Sequence, residues 1–247
     1  MSDKHRTMYD KFKELAYLEL DKFLLDGTTP GVGFIRARQL QEHPNVFPDL
    51  TAPGEYVDIL PKELPDKLER MLVHFSDFER TGKPFVVYTP LVPQIRQLTD
   101  LAHKMGLKVA AMHGGVSARD RGKLDTAFKA GELQGLICNP QVASVGFNWG
   151  VSGDREVEHF FFVTCDFLDT TILQAYRRGI RGKRKTPLLV TVMEYDDSTD
   201  QRVFAIIRRK SREANKADST RPVLCLGQQD RSRPVLDFSP CQPEATS

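Results

Sequence analysis

Five short apolar runs, separated by stretches of helical length, restrict the fold of this chain more than any other feature of its sequence. The runs fall at 84–88, 108–112, 135–138, 159–163 and 187–193, and they are rich in valine, leucine, phenylalanine or alanine with little charge. A strand with no polar face has to be covered on both sides, and strands joined through helices of roughly 10 to 15 residues run parallel. Between and after the runs, 93–105, 117–130 and 198–216 carry apolar residues at helical spacing, as does 67–79 ahead of them. Ser117 is placed to cap the helix at 117–130, and Gly106 to end the one before it. The expectation is a doubly wound, mostly parallel α/β sheet with helices on both faces, occupying 57–217.

The flanks read differently. Residues 4–25 space Tyr9, Phe12, Leu15, Leu18, Phe23 and Leu24 as one helix would, up to Asp26-Gly27, and 32–41 read as a second helix that His43-Pro44 breaks. The stretch 45–62 holds four prolines or glycines that make it a connector, kept against the domain by Val46, Phe47, Tyr56, Val57 and Ile59. The organisation expected is an N-terminal helical extension with connector over 1–56, the α/β domain over 57–217, and a tail over 218–247. The tail mixes prolines, serines and glutamines without a period, and is either disordered or a docking strip through 223–226 or 235–238.

Composition excludes several classes. No stretch approaches the roughly 20 apolar residues that cross a bilayer, and the opening residues lack an apolar signal core, which argues for an intracellular, cytoplasmic protein and against export. Cys138, Cys165, Cys225 and Cys241 lie far apart with no C-x-x-C pair, against both a disulfide framework and a zinc site. Cys138 and Cys165 sit in apolar surroundings and read as core. Net charge is only +2, so any affinity for nucleic acid has to come from where the basic residues lie.

They lie most densely in Gln174-Ala-Tyr-Arg-Arg-Gly-Ile-Arg-Gly-Lys-Arg184, which has no acid. On a helix, Gln174, Arg177, Arg178 and Arg181 share one face, and Ile172, Leu173, Tyr176 and Ile180 the other. Arginine's planar fork of donors suits phosphate. A solvated basic face is the alternative. In an open α/β sheet, ligands collect at the carboxyl ends of strands. Thr89, His113-Gly114-Gly115, Asn139, the stretch 143–148 and Asp166 follow the expected strands. His113 reads as a loop histidine or a catalyst, and Trp149 as a base-stacking group or a core-closing one.

Taken in order, these strand ends resemble the C-terminal RecA-like lobe of superfamily-two helicases, in particular Swi/Snf-type DNA-dependent ATPases. Lys83-Pro-Phe-Val-Val-Tyr-Thr89 is similar to motif IV, and Leu136-Ile-Cys-Asn-Pro-Gln-Val-Ala-Ser-Val-Gly-Phe-Asn148 to motif V. Gln174 to Arg181 matches the Q-x-x-x-R-x-x-R of motif VI, and His113-Gly-Gly-Val-Ser-Ala-Arg-Asp-Arg121 with Phe128 the segment between motifs IV and V. Further similarities, at 35–47, Pro65-Asp-Lys-Leu68 and Ser198-Thr-Asp-Gln201, extend the resemblance over about residues 9–216. Arg177, Gly182-Lys183 and Ala143-Ser144 depart from the family pattern. Compactness and divergent motifs suggest a phage or prokaryotic source.

The resemblance implies specific roles. Arg178 and Arg181 would act as arginine fingers; Gly146, Asn148 and Gln174 would line the nucleotide side; Asn139, Thr89, His113 and Gly114 would meet the DNA backbone. Hydrolysis of a nucleoside triphosphate needs a phosphate-cradling loop, its lysine and a magnesium-holding carboxylate. Here the Gly-Lys pairs at 82, 122 and 182 lack the upstream glycine and the following Ser or Thr, and there is no Asp-Glu dipeptide. ATP and Mg2+ would therefore be held by a separate N-terminal RecA-like lobe, in cis or in trans. A non-catalytic nucleic-acid or protein-binding module is the competing class.

Overall fold

A computed structural model describes residues 1–217 apart from 21–23, 62, 144–146, 148, 153–154, 167–168 and 181–183, and beyond them 225–226 and 236–237. The chain opens with helix α1 (Asp3–Leu15), capped by the Ser2 hydroxyl. It stops earlier than the spacing of its leucines predicts. Ala16 adopts a left-handed conformation at φ 58°, its N–H closing on the Phe12 carbonyl, and the chain turns into a hairpin of β1 (Tyr17–Glu19) and β2 (Leu24–Asp26). Leu18 and Leu25 pair across it and point inward, so the alternation is that of a strand. The N-terminal extension is thus helix, hairpin and helix.

Helix α2 (Pro30–Glu42) begins on a proline whose missing N–H costs nothing there, and ends at His43-Pro44. A 3-10 turn at Pro44–Val46 leads to β3 (Phe47–Pro48), which pairs with β4 (Tyr56–Val57). Tyr9, Phe12, Leu18, Leu25, Leu40 and Phe47 make the core of this part.

Then follow α3 (Asp66–Thr81), β5 (Phe85–Tyr88), α4 (Val92–Lys104), β6 (Val109–Met112), α5 (Ala118–Ala130) and β7 (Gly135–Cys138). A short helix α6 (Pro140–Ala143) and a hairpin of β8 (Val151–Ser152) and β9 (Arg155–Glu156) precede β10 (His159–Phe162). The series closes with α7 (Asp169–Gly179), β11 (Leu189–Val192) and α8 (Thr199–Ala217). In the tail, β12 (Cys225–Leu226) pairs antiparallel with β13 (Leu236–Asp237).

Five strands form one parallel sheet in the order β11-β10-β5-β7-β6. Register is set by burial: Val190, Phe160, Val86, Leu136 and Ala110 make one row across it and face α5, α7 and α8. The next row, through Phe161, Val87, Ile137 and Ala111, faces α3 and α4. Each large side chain so buried contributes on the order of 1.5–3 kcal/mol, which is why these runs tolerate no polar face. The doubly wound α/β sheet expected from the sequence is the one found.

Candidate functional site

Three expected residues stand in sequence along the carboxyl edge of the sheet. The Thr89 N–H donates to the Cys138 carbonyl at 3.0 Å and the Asn139 N–H to the Met112 carbonyl at 2.8 Å, so the ends of β5, β7 and β6 are locked side by side. Their side chains differ in what they can reach. Thr89 is fully buried, and its hydroxyl donates to Gln94 Oε1 at 2.5 Å. The first turn of α4 and the end of α2 close over it, so the expected contact between Thr89 and DNA is overturned. Asn139 is half-buried; Nδ2 donates to the Pro90 carbonyl at 3.2 Å, and Oδ1 accepts the Gln141 N–H at 2.9 Å, capping α6. An amide carries two N–H donors, so one such bond leaves a second for an outside acceptor. His113 Nδ1 accepts the Gly115 N–H at 3.1 Å, which places the neutral ring's proton on Nε2, facing away from the turn. Gly114 is exposed, with open space where a Cβ would be.

Helix α7 packs Ile172, Leu173 and Ala175 into the core and leaves Gln174 and Arg177 exposed. Arg178 is half-buried and donates to the Phe147 carbonyl, which ties the helix to the loop after α6. The helix ends at Gly179. A Cβ there would meet Leu188 Cδ2 at 2.4 Å and the Phe160 ring at 2.6 Å, so only glycine lets the helix end lie this close to the sheet. Gly150 approaches closer still: its Cβ would lie 2.2 Å from the Gly179 carbonyl oxygen, and its N–H donates to the Arg178 carbonyl at 3.1 Å. Because the helix stops here, Ile180 is 41% exposed and not packed as its spacing predicts. Arg181, Gly146 and Asn148 lie outside the described residues.

Arg184, which the sequence offers only as one more cation of the run, has a different task. Nη1 donates to the carbonyls of Gly179 at 2.7 Å and Gly150 at 2.9 Å, Nη2 to Val157 at 2.9 Å and Nε to Thr186 at 3.0 Å. It clamps the end of α7 to the β8–β9 region. Beside it, the Thr186 hydroxyl and the N–H groups of Lys185 and Thr186 hold the Glu156 carboxyl down to about 2. Trp149 settles as a core-closing residue: it is 2% exposed, stacks on Phe147 and donates Nε1–H to Asp125 at 2.8 Å. Cys138 and Cys165 are buried free thiols, pushed up in pKa by burial.

The chain leaves β5 toward β6 and leaves β10 toward β11, so the carboxyl ends of β5 and β10 flank the topological switch point, the usual crevice for a ligand. Here the crevice is filled from within. Glu42, from the end of α2, accepts the Thr164 hydroxyl at 2.6 Å and the Gln41 amide at 2.6 Å, and Lys67 Nζ lies 2.7 Å from both Glu42 Oε1 and Asp200 Oδ2. Glu42, Lys67 and Asp200 are 1%, 4% and 3% exposed. Burial pushes the Glu42 carboxyl up, but Lys67 outweighs it and the carboxyl lies below its usual value. Burial also opposes the Lys67 charge, and Asp200 and Glu42 raise it nonetheless. Asp200, the more weakly compensated, is raised by burial to about 6. Sequence reasoning missed this trio. Its one signal is that Glu42 and Lys67 each sit beside a proline break, before His43-Pro44 and after Pro65, where the chain bends inward.

The exposed N–H donors of α7, on Gln174 and Arg177, suit an anion such as phosphate. Among the described residues no cluster of His, Cys, Asp or Glu is placed to hold a metal, and no helix is long and apolar enough to cross a membrane.

The class of molecule these features define is a doubly wound α/β domain with a basic-ended helix, α7, packed on one face of its sheet. Neither a protein-family profile nor a curated protein matches the chain. Among solved structures, the C-terminal part of the Fun30 ATPase domain is similar at 15% identity and a TM-score of 0.49, over 57% of this chain and 44% of that one. The C-terminal domain of the DEAD-box protein Dbp5 is similar at 18% identity and a TM-score of 0.45, over 60% of this chain and 80% of that one. The chain therefore spans less than half the length of the Fun30 structure it matches.

Proposed function

We propose that this chain is the second, RecA-like motor lobe of an ATP-dependent DNA helicase or translocase, completing an ATPase site whose phosphate loop belongs to another lobe. The observation that carries the reading is α7: it leaves the strand beside the switch point and presents Gln174 and Arg177 outward, with Arg178 oriented by the Phe147 carbonyl. These residues occur in the order and spacing of motif VI. The bond to the Phe147 carbonyl orients the planar Arg178 fork, the donor geometry that suits a phosphate. Arg178 and Arg181 would meet the triphosphate across the interface, where a charge supplied in trans is worth roughly 10³ to 10⁵ in rate. Gln174, Gly146 and Asn148 would line the nucleotide side, and Asn139, His113 and Gly114 would touch DNA phosphates without reading sequence. ATP with Mg2+, held by the partner lobe, would supply the hydrolysable phosphoanhydride. Thr89 has a structural place and takes no part in this assignment.

The test is DNA-stimulated ATPase activity with a Walker-motif lobe supplied in trans or fused upstream. Arg178→Ala is expected to lower turnover by 10³-fold or more, on the scale quoted for such groups. Unchanged turnover would sink the finger assignment. The second reading, a binding module without catalysis, would show as DNA binding that no partner lobe activates.

A further inference from the structure

We infer that α8 carries a second binding surface, a row of cations that grips the phosphate backbone of a duplex outside the set of residues assigned above. The inference rests on the nucleic-acid role just proposed, but not on the residues of α7. Helix α8 holds Arg202, Arg208, Arg209, Lys210, Arg212 and Lys216 against Asp200 and Glu213. Six cations less two acids leave +4 on this helix, in a chain whose total is +2. The charge is concentrated, not spread.

Its placement on the helix is ordered. Val203, Phe204, Ile207 and Ser211 are buried against the sheet and its neighbours. At about 100° per residue, Arg209, Lys216 and Arg212 lie roughly 20°, 40° and 80° from Arg202, and all four are exposed on the opposite side. Asp200 is turned inward onto Lys67, which leaves Glu213 as the acid on the outer face. Its contact with Arg209, at 3.8 Å between side chains 64% and 70% exposed, is of the kind worth under about 1 kcal/mol and holds no arginine back from a phosphate.

The row is also held still. The Thr199 N–H donates to Tyr9 Oη at 2.9 Å, its hydroxyl donates to Gln41 Oε1 at 2.6 Å, and Asp200 joins the buried trio, so the start of α8 is fixed by three separate elements. A preorganised row loses little freedom on binding. From Arg202 to Lys216 the helix rises about 21 Å, a length that passes roughly six phosphates of one strand of duplex DNA. Regular negative charge over that length, and forks that suit phosphate oxygens, point to a nucleic-acid backbone more than to the irregular carboxylates of an acidic protein.

The experiment compares the full chain with R209A/R212A/K216A, measuring affinity for labelled 20-base-pair DNA and RNA duplexes over a range of salt concentrations. Alanine is the best helix former, so the helix is retained, and R209K/R212K keeps the charge as a control. If the three cations each neutralise a phosphate, the slope of log K against log salt falls by about 2–3, at about 0.9 per phosphate, and the lysine control keeps it. Loss on both duplexes assigns the shared phosphodiester backbone; loss on DNA alone assigns DNA. An unchanged slope overturns the proposal, and if binding to poly-glutamate is lost instead, the partner is an acidic protein. R178A run in parallel separates the two ideas: its loss of ATPase activation alongside an unaltered slope in the triple variant would retire α8 and leave α7 standing.

Discussion

Asp200 shows how a buried charge can cost stability and still be kept. Two carboxylates share the one ammonium of Lys67, so one of them is undercompensated, and its carboxyl is raised from 3.8 to about 6. A buried ion pair of this kind adds little to stability over an apolar substitute, while removing one partner is severe. The raised pKa means the folded chain holds a proton at Asp200 more tightly than the unfolded chain does. Its contribution to stability is therefore full below about pH 3.8 and is lost as pH rises through about 6, a loss on the order of 3 kcal/mol. Glu42, lowered by Lys67, acts in the other sense and weakens the fold as pH falls through its own range. The D200N variant cannot ionise. Urea denaturation at pH steps from 4 to 8 should show wild type losing stability relative to D200N between pH 4 and 6, and parallel curves would show that Asp200 is not the titrating group.

At the scale of elements, the end of α7 depends on a residue beyond it. Arg184 satisfies carbonyls of Gly179, Gly150, Val157 and Thr186, of which Gly150 also accepts the Val157 N–H at 3.1 Å. Charge-assisted bonds of this sort are worth about 1.5–3 kcal/mol, and carbonyls left without a partner cost more. R184A is expected to lose roughly 3 kcal/mol in chemical denaturation, and R184K to recover less than half, because an ammonium has no fork. The basic run thus divides by which carbonyls face each arginine, and the sequence contains no sign of that division. What it does show are elements whose cause is local: five strands without a polar face, the Ser117 cap and the glycine stop after α4. The hairpin β1–β2 was hidden because Leu18 and Leu24 also fit a helical period, and a left-handed Ala16 decides between the two. Thr89 was legible as a strand-end residue but not as a buried one, since what covers it comes from α2 and α4.

For the whole molecule, the extension and the α/β domain behave as one object. Residues 1–56 supply Glu42 to the switch-point crevice, Gln41 and Tyr9 to the start of α8, and the Arg6 guanidinium to the carbonyls of Asp196 and Asp197. A boundary at residue 57, natural from the prolines of the connector, cuts through this network. A chain of 57–217 would keep Lys67 against Asp200 but leave the Gln94 amide without its Glu42 acceptor, take the shorter of two acceptors from the Thr164 hydroxyl, and bare the side of α8 that meets α2. Removing one partner of a buried ion pair costs about 3–5 kcal/mol, against a total of about 5–15 kcal/mol for a domain. The full chain is expected to unfold in a single transition through residue 217, and the 57–217 fragment to unfold at a much lower urea midpoint or to fail to fold. Adding the 1–56 segment back as a peptide should raise that midpoint, and less so when the peptide carries Glu42→Ala. If the fragment instead matches the full chain in both midpoint and denaturant slope, the extension is an independent unit and Glu42 is no more than a passenger in the crevice.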